Sequence, residues 1–157
     1  MATHVWSLLC RQPIVDAFTH TLTIVDVLEE IQVSMVRAGS VSETDVLPVA
    51  TFDFVLVSLW IRSDDSIEED ARLRARIIAP SGKTIGTTEQ QFPLKENQRA
   101  RNLLHARGVP APESGRYTIE VQVPMSGGRW RTVSRLPLDV KLNMTVASQG
   151  GSESAHH

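Results

Sequence analysis

The sequence predicts an all-β fold, an immunoglobulin-like antiparallel β-sandwich of about seven to nine strands. Apolar and polar residues alternate in several short segments, as expected of strands that place one face in a core. Turn-forming residues separate these segments, most clearly at 80–83, 112–115 and 126–128. The 157 residues suit one domain, which we assign to residues 1–142, followed by a polar, disordered tail at 143–157.

The most informative segment comprises residues 110–123. It alternates polar residues with an apolar set, so one face of the predicted strand belongs to a core: Tyr117, Ile119, Val121 and Val123. Prolines and a glycine immediately precede Tyr117 and predict a corner. A tyrosine just after such a corner is typical of immunoglobulin-like sandwiches, where its hydroxyl bonds to the loop backbone.

Two apolar segments near the N terminus predict a β-hairpin. The first covers 5–15, and Pro13 within it indicates an edge or a bulge, because proline cannot donate a backbone hydrogen bond. A polar turn at 16–21 leads to the second strand at 22–28, which is rich in β-branched residues. A helix over 25–36 is the alternative, favoured by two adjacent glutamates, but the β-branched residues favour a strand.

Residues 51–61 form the most apolar segment, and both of its faces need cover. The set expected to face the core is Phe52, Phe54, Leu56 and Trp60. A two-layer sandwich covers only one face of a strand, so the second face must meet a loop, a helix or another subunit. We predict a homo-oligomer, such as a homodimer, through Val55, Val57, Leu59 and Ile61, with loop cover as the alternative.

A row of arginines marks the strand predicted at 71–79. Arg72, Arg74 and Arg76 share one face and would project about 7 Å apart, which suits an anionic partner. The favoured interpretation is nevertheless an ordinary solvated face, neutralised across strands by Glu89 or Glu120, and an anionic partner is the alternative. Further arginines are candidates to extend this face: Arg99, Arg101, Arg129, Arg131 and Arg135.

The remaining segments complete the predicted sheets. Residues 83–94 return from a tight turn in which Gly82 supplies a positive φ. Residues 98–106 are predicted to form another strand, with a short helix as the alternative. Residues 129–142 form the last strand, kinked at Pro137. Trp130 in that strand is interpreted as a core residue, with a stacking platform for a base or sugar as the alternative.

The sequence contains no recognisable catalytic, cofactor or metal motif. Cys10 with His4, His20 and His105 matches no metal-site spacing, and Cys10 lies in an apolar segment that predicts burial. The acidic residues at 64–70 lack the spaced ligands and glycine of a calcium loop and are interpreted as a solvated connection. We therefore predict a non-enzymatic protein without a cofactor, either an interaction module or a ligand-binding sandwich that uses its end loops or arginines.

Composition limits the partners that we expect. The net charge of −2 gives no general attraction to nucleic acid or to an anionic membrane. No secretory signal and no apolar segment of about 18 residues is present. One cysteine mildly favours a reducing compartment. The sequence thus predicts a soluble cytoplasmic protein with an unknown protein partner.

Several of these motifs occur together in a familiar order. Segments 8–10, 14–16 and 22–24, the hairpin at 79–83 and the corner at 112–121 resemble a family of small prokaryotic β-sandwich proteins of unknown function. The resemblance spans roughly residues 4–140 and implies the sandwich fold, with no activity, cofactor or site. The long segment between Val36 and Phe52 departs from that pattern and is expected to be an elaborated loop.

Overall fold

The computed structural model describes residues 2–37, 49–64, 69–94 and 98–146. In these ranges the chain forms nine β-strands in two packed sheets, which confirms the predicted sandwich. The strands are β1 (Thr3–Val15), β2 (Leu22–Val27), β3 (Glu30–Arg37), β4 (Ala50–Ile61), β5 (Asp70–Ile78), β6 (Thr84–Pro93), β7 (Arg99–Ala111), β8 (Gly115–Pro124) and β9 (Trp130–Val146). A 3-10 turn, Ser126–Gly128, joins β8 to β9.

The sheets contain four and five strands. Their orders are β2-β1-β4-β7 and β3-β9-β8-β5-β6. Neighbouring strands are antiparallel, except that β3 runs parallel to β9. Within the described ranges no helix is long and apolar enough to cross a bilayer.

The core lies between the sheets and follows the predicted alternation. Tyr117, Ile119 and Val121 of β8 are fully buried and meet the core-facing side of β4. Full burial of a large apolar side chain contributes about 1.5–3 kcal/mol, so these two central strands anchor the sandwich.

Tyr117 forms the predicted corner. Its hydroxyl donates a hydrogen bond to the carbonyl oxygen of Glu113 at 2.7 Å, while the Glu113 carboxylate accepts the Ser81 backbone N–H at 3.0 Å. Gly115 has a φ of +142°, and a Cβ on it would lie 2.8 Å from Cγ of Pro80. A side chain at 115 would therefore clash with the neighbouring turn, which explains the glycine.

The β1–β2 hairpin folds over the outer face of its own sheet. β1 pairs with β4 as far as Cys10 and with β2 from Cys10 onward, so the hairpin leaves the plane of the sheet there. Arg101 Nη1, on β7, donates to the carbonyl oxygen of His20 in the hairpin turn at 2.5 Å. The turn thus reaches across β4 to the far strand.

This hairpin covers part of the surface that was predicted for self-association, at Val55 and Val57. Val55 and Val57 are 5% and 0% exposed, and Leu59 and Ile61 are half-buried. The cover consists of apolar side chains of the same chain: Trp6, Leu8, Leu22, Ile24 and Leu103. The chain itself therefore supplies the predicted cover at Val55 and Val57, and self-association stays a prediction.

The segment at 22–36 is extended, as preferred over a helix, but it is two strands. The Leu28 backbone N–H donates to the carbonyl oxygen of Leu9 in β1. One residue later, the carbonyl oxygen of Glu29 accepts from the backbone N–H of Asp139 in β9. The chain thus passes between the sheets at this peptide. Asp26, with a φ of +53°, bends the chain just before the crossing.

Two predicted boundaries are wrong. β7 is a strand, as preferred, but it continues past 106 to Ala111, because an edge strand tolerates Pro110. The last strand, predicted to end at 142, continues to Val146, because β3 pairs with β9 that far. The predicted tail stays a prediction for 147–157. Residues 147–157 and most of the predicted loop between Val36 and Phe52 lie outside the described ranges, as do 65–68 of the acidic loop.

Candidate functional site

Four adjacent strands, in the order β6-β5-β8-β9, carry polar side chains on the outer side of the five-stranded sheet. The register aligns Glu89, Arg74, Gln122 and Thr132 in one row across these strands. Side chains alternate along each strand, so this row lies opposite the core. We call the surface the arginine face and define it by Arg72, Arg74, Arg76, Glu89, Glu120, Gln122, Trp130, Thr132 and Arg135.

Glu89 is bound by two arginines of the neighbouring strand. Arg74 donates to Glu89 Oε1 from Nε at 3.0 Å and from Nη2 at 2.6 Å, and Arg72 Nη2 donates to Oε2. Hydrogen bonds from Arg74 and Arg72 lower the pKa of the Glu89 carboxyl below its usual range. Two guanidinium groups therefore converge on a single carboxylate.

Trp130 supports the same two arginines. The Cζ atoms of Arg74 and Arg72 lie 4.0 and 5.3 Å from the centre of the Trp130 ring. A guanidinium over an indole face is attracted by the ring quadrupole, by about 0.5–1 kcal/mol at exposed sites. Trp130 is half-buried on the outer surface, so its interpretation as a core residue is wrong.

Glu120 occupies the next row and is almost enclosed. It is 7% exposed and accepts hydrogen bonds from Arg76 at 3.4 Å, from Arg135 at 3.0 Å and from Gln122 at 3.2 Å. A buried carboxylate is costly unless it is paired and hydrogen-bonded. These contacts make Glu120 part of the framework that aligns the arginine face.

The arginine face carries a local positive charge on an acidic protein. Its defining residues include four guanidinium groups and two carboxylates, hence 4 − 2 = +2. The whole chain has a net charge of −2. The face is therefore more positive than the chain as a whole, although Asp70 lies beside Arg72 on the same side of β5, and this positive excess suits an anionic group.

The other candidate arginines are distributed over different surfaces. Arg135 joins the arginine face through Glu120, whereas Arg99 and Arg101 belong to β7 of the opposite sheet. Arg131 is aligned with core-facing Val123, and Arg129 lies in the β8–β9 turn. The strand order decides which of these arginines reach the arginine face. Their spacing along the sequence does not reveal that order.

The cysteine and histidine candidates do not form a common site. Cys10 is fully buried, as predicted, and burial raises the pKa of its thiol. His4 contacts Trp60 of the core between the sheets, whereas Cys10 belongs to the cluster under the hairpin. His20 lies in the hairpin turn, and His105 is exposed on β7. In the described ranges no group of three or more histidine, cysteine or acidic residues could hold a metal ion.

Gln122 and Thr132 belong to the arginine face but were not predicted as part of it, and Trp130 was considered only as a core residue or as a stacking platform for a base or sugar. Gln122 is 6% exposed and donates to Thr132 Oγ1 at 3.2 Å. The alternation of 117–123 does predict that Gln122 points away from the core. Its neighbours come from β5 and β9, so they become apparent only once the strand order is known.

The comparisons with known proteins support the architecture alone. No protein-family model and no curated protein sequence matches the chain. Among solved structures the chain is similar to the crystal structure of the C-terminal domain of wzt, with a TM-score of 0.50 and 9% sequence identity. The match covers 99% of this chain and 83% of that one. At this identity the likeness shows a shared β-sandwich fold.

The sequence resemblance to a family of unknown function stays a prediction. No family model tests it, and the structural likeness concerns the fold.

Proposed function

We propose that the protein is a non-enzymatic interaction module that binds an acidic segment of a partner protein on the arginine face. The observation that carries this proposal is the pair of guanidinium groups of Arg72 and Arg74, which lie over Trp130 and already bind a glutamate carboxylate. A planar guanidinium fork matches the geometry of a carboxylate, so the same groups suit an aspartate or glutamate of a partner.

Charge favours an acidic peptide over nucleic acid as the partner. A nucleic-acid backbone needs a continuous positive surface, whereas the arginine face also holds Glu89 and Glu120, and the chain is acidic as a whole. A peptide can place single carboxylates between these acidic positions. A cytoplasmic location belongs to the same proposal and is supported by the lone, buried thiol of Cys10.

The role is proposed as non-catalytic because the perturbed titratable groups are dispersed. The lowered carboxyl pKa values belong to exposed ion pairs and a turn, at Asp16, Glu30, Glu89 and Asp139. Catalytic sites usually gather such groups in one cleft.

Arg74→Gln tests the proposal. With a fluorescent oligoglutamate peptide at low ionic strength, we expect the variant to bind about tenfold more weakly, because a two-point contact to a carboxylate is lost. Binding by the wild-type protein should weaken as salt is added. Fluorescence anisotropy measures both effects.

The matched control is Arg107→Gln, which removes an exposed arginine from β7 of the opposite sheet. Equal weakening by both variants would mean that only net charge matters and would contradict the proposal. An oligoglutamine peptide controls for backbone binding. Preference for an oligonucleotide of equal charge would replace the acidic peptide with nucleic acid.

A further inference from the structure

We infer that Glu89 is an internal substitute for the partner's carboxylate, so that an acidic segment binds the arginine face by displacing it. This inference rests on the proposed function and describes how binding would be regulated. In the free protein, the Glu89 carboxylate itself occupies the site that the partner's carboxylate would take. Removing the Glu89 charge should therefore strengthen binding, not weaken it.

The two glutamates of the arginine face differ in how easily they can leave. The Glu89 side chain is 32% exposed and belongs to β6, the edge strand of its sheet. The Glu120 side chain is 10% exposed and lies on β8, in the middle of the sheet. Glu89 can therefore rotate into water, where a carboxylate is well solvated, while Glu120 would lose its three donors without gaining solvent.

Arg74 remains positioned after Glu89 leaves. Arg74 lies 4.0 Å from the centre of the Trp130 ring, and its side chain is 27% exposed, so stacking and packing restrict its rotamers independently of Glu89. A site that keeps its geometry loses less conformational entropy on binding. The displaced carboxylate consequently leaves a preformed acceptor site for another carboxylate.

Glu89 opposes the arriving group as long as it stays in place. Both of its oxygens already accept from the two arginines, so an incoming carboxylate would share the donors and face a like charge. With such competition, the apparent affinity for the peptide equals the intrinsic affinity multiplied by the fraction of molecules in which Glu89 has left the site.

Glu89→Gln is the decisive variant. A glutamine keeps the size of the side chain and removes its charge, so we expect the oligoglutamate peptide to bind about 3- to 10-fold more tightly. Asp26→Asn is the control, because it removes one negative charge from the opposite sheet at a position with φ of +53°, which asparagine tolerates. Thermal unfolding of each variant verifies the fold.

The outcomes separate the two proposals. Weaker or equal binding by Glu89→Gln, with Arg74→Gln still impaired, would overturn the Glu89 inference and leave the proposed function intact. Absence of binding by both the wild-type protein and Glu89→Gln would overturn the proposed function. An equal gain in Asp26→Asn would attribute the effect to net charge and would also overturn the inference.

A second readout locates the binding. The chain has three tryptophans, so a ¹⁵N-labelled sample gives three indole N–H resonances, and we expect the peptide to shift that of Trp130. Movement of the buried Trp60 resonance instead would place the peptide elsewhere and contradict the inference.

Discussion

At the scale of single residues, Tyr117 couples the core to the corner before β8. Its ring is fully buried against Phe52, at 5.5 Å between ring centres, and its hydroxyl donates to the Glu113 backbone. Burial raises the pKa of the Tyr117 phenol, so the hydroxyl stays a donor at neutral pH. Because Glu113 also binds Ser81, one hydroxyl helps to fix both the corner and the β5–β6 turn.

Tyr117→Phe should lower the free energy of unfolding by about 1–3 kcal/mol, because the Glu113 carbonyl loses its partner while the ring remains packed. Urea unfolding followed by circular dichroism measures this loss. Thr51→Val, which removes a hydroxyl from an exposed position of β4, should change stability by less than about 0.5 kcal/mol. Equal effects of the two substitutions would show that the corner bond contributes nothing specific.

At the scale of elements, the β1–β2 hairpin acts as a cover for β4. It permits the central strand of a two-layer sandwich to be apolar on its outer face at Val55 and Val57 without exposing them. Leu22 and Ile24 seal the cluster of Cys10, Val55 and Val57. The cover depends on an apolar contact and on the bond between Arg101 and His20, so it is the part of the sandwich that we expect to open locally first.

Cys10 reports on this opening. Its thiol is inaccessible under the hairpin, so native protein should react slowly with iodoacetamide. Ile24→Ala should increase the rate several-fold, because the lost packing favours the open state. Val25→Ala, at a 37% exposed neighbouring position, should have little effect. Rapid labelling of the wild-type protein would contradict the buried position of Cys10.

At the scale of the whole molecule, the alternation of apolar and polar residues predicts which side of a single strand faces the core. It does not predict which strands lie next to one another. Period-two patterns identified the inward side of β4, β5 and β8, and the Tyr117 corner follows from local chemistry. The arginine face needs β5, β6, β8 and β9 side by side, an arrangement decided by packing between distant segments. Trp130 illustrates the difference: it is large and apolar, yet two arginines of another strand hold it at the surface.

The same distinction explains the self-association prediction. Residues 55–61 correctly signalled a strand that needs cover on both faces. The source of that cover was not visible in the segment itself, because the hairpin turn is separated from Arg101 by 81 residues. Patterns therefore identify a need for burial more reliably than they identify which part of the chain, or which partner, meets it.

Acid should destabilise the protein in two steps. Burial lowers the pKa of His4 below 6.5, so the unfolded chain binds a proton more readily and stability begins to fall as pH drops through about 6.5. The ion-paired carboxyls of Glu30, Glu89 and Asp139 have pKa values below their usual range. These carboxyls stabilise the folded state fully at a pH above the ordinary carboxyl pKa. This stabilisation is lost as pH falls through their lowered pKa values, which is a second step at more acidic pH.

His4→Gln separates the two steps. The ring of His4 is partly buried against that of Trp60, at 5.1 Å between ring centres, and this loss of contact with water disfavours the charged imidazolium and lowers the pKa. Between pH 7.5 and 5.5 we expect the Tm of the wild-type protein to fall and that of the variant to fall less. His105→Gln, at an exposed position, should keep the wild-type profile. Because the carboxylates lose their charge only at lower pH, a variant that still loses stability in this window would remove His4 as the cause of the first step.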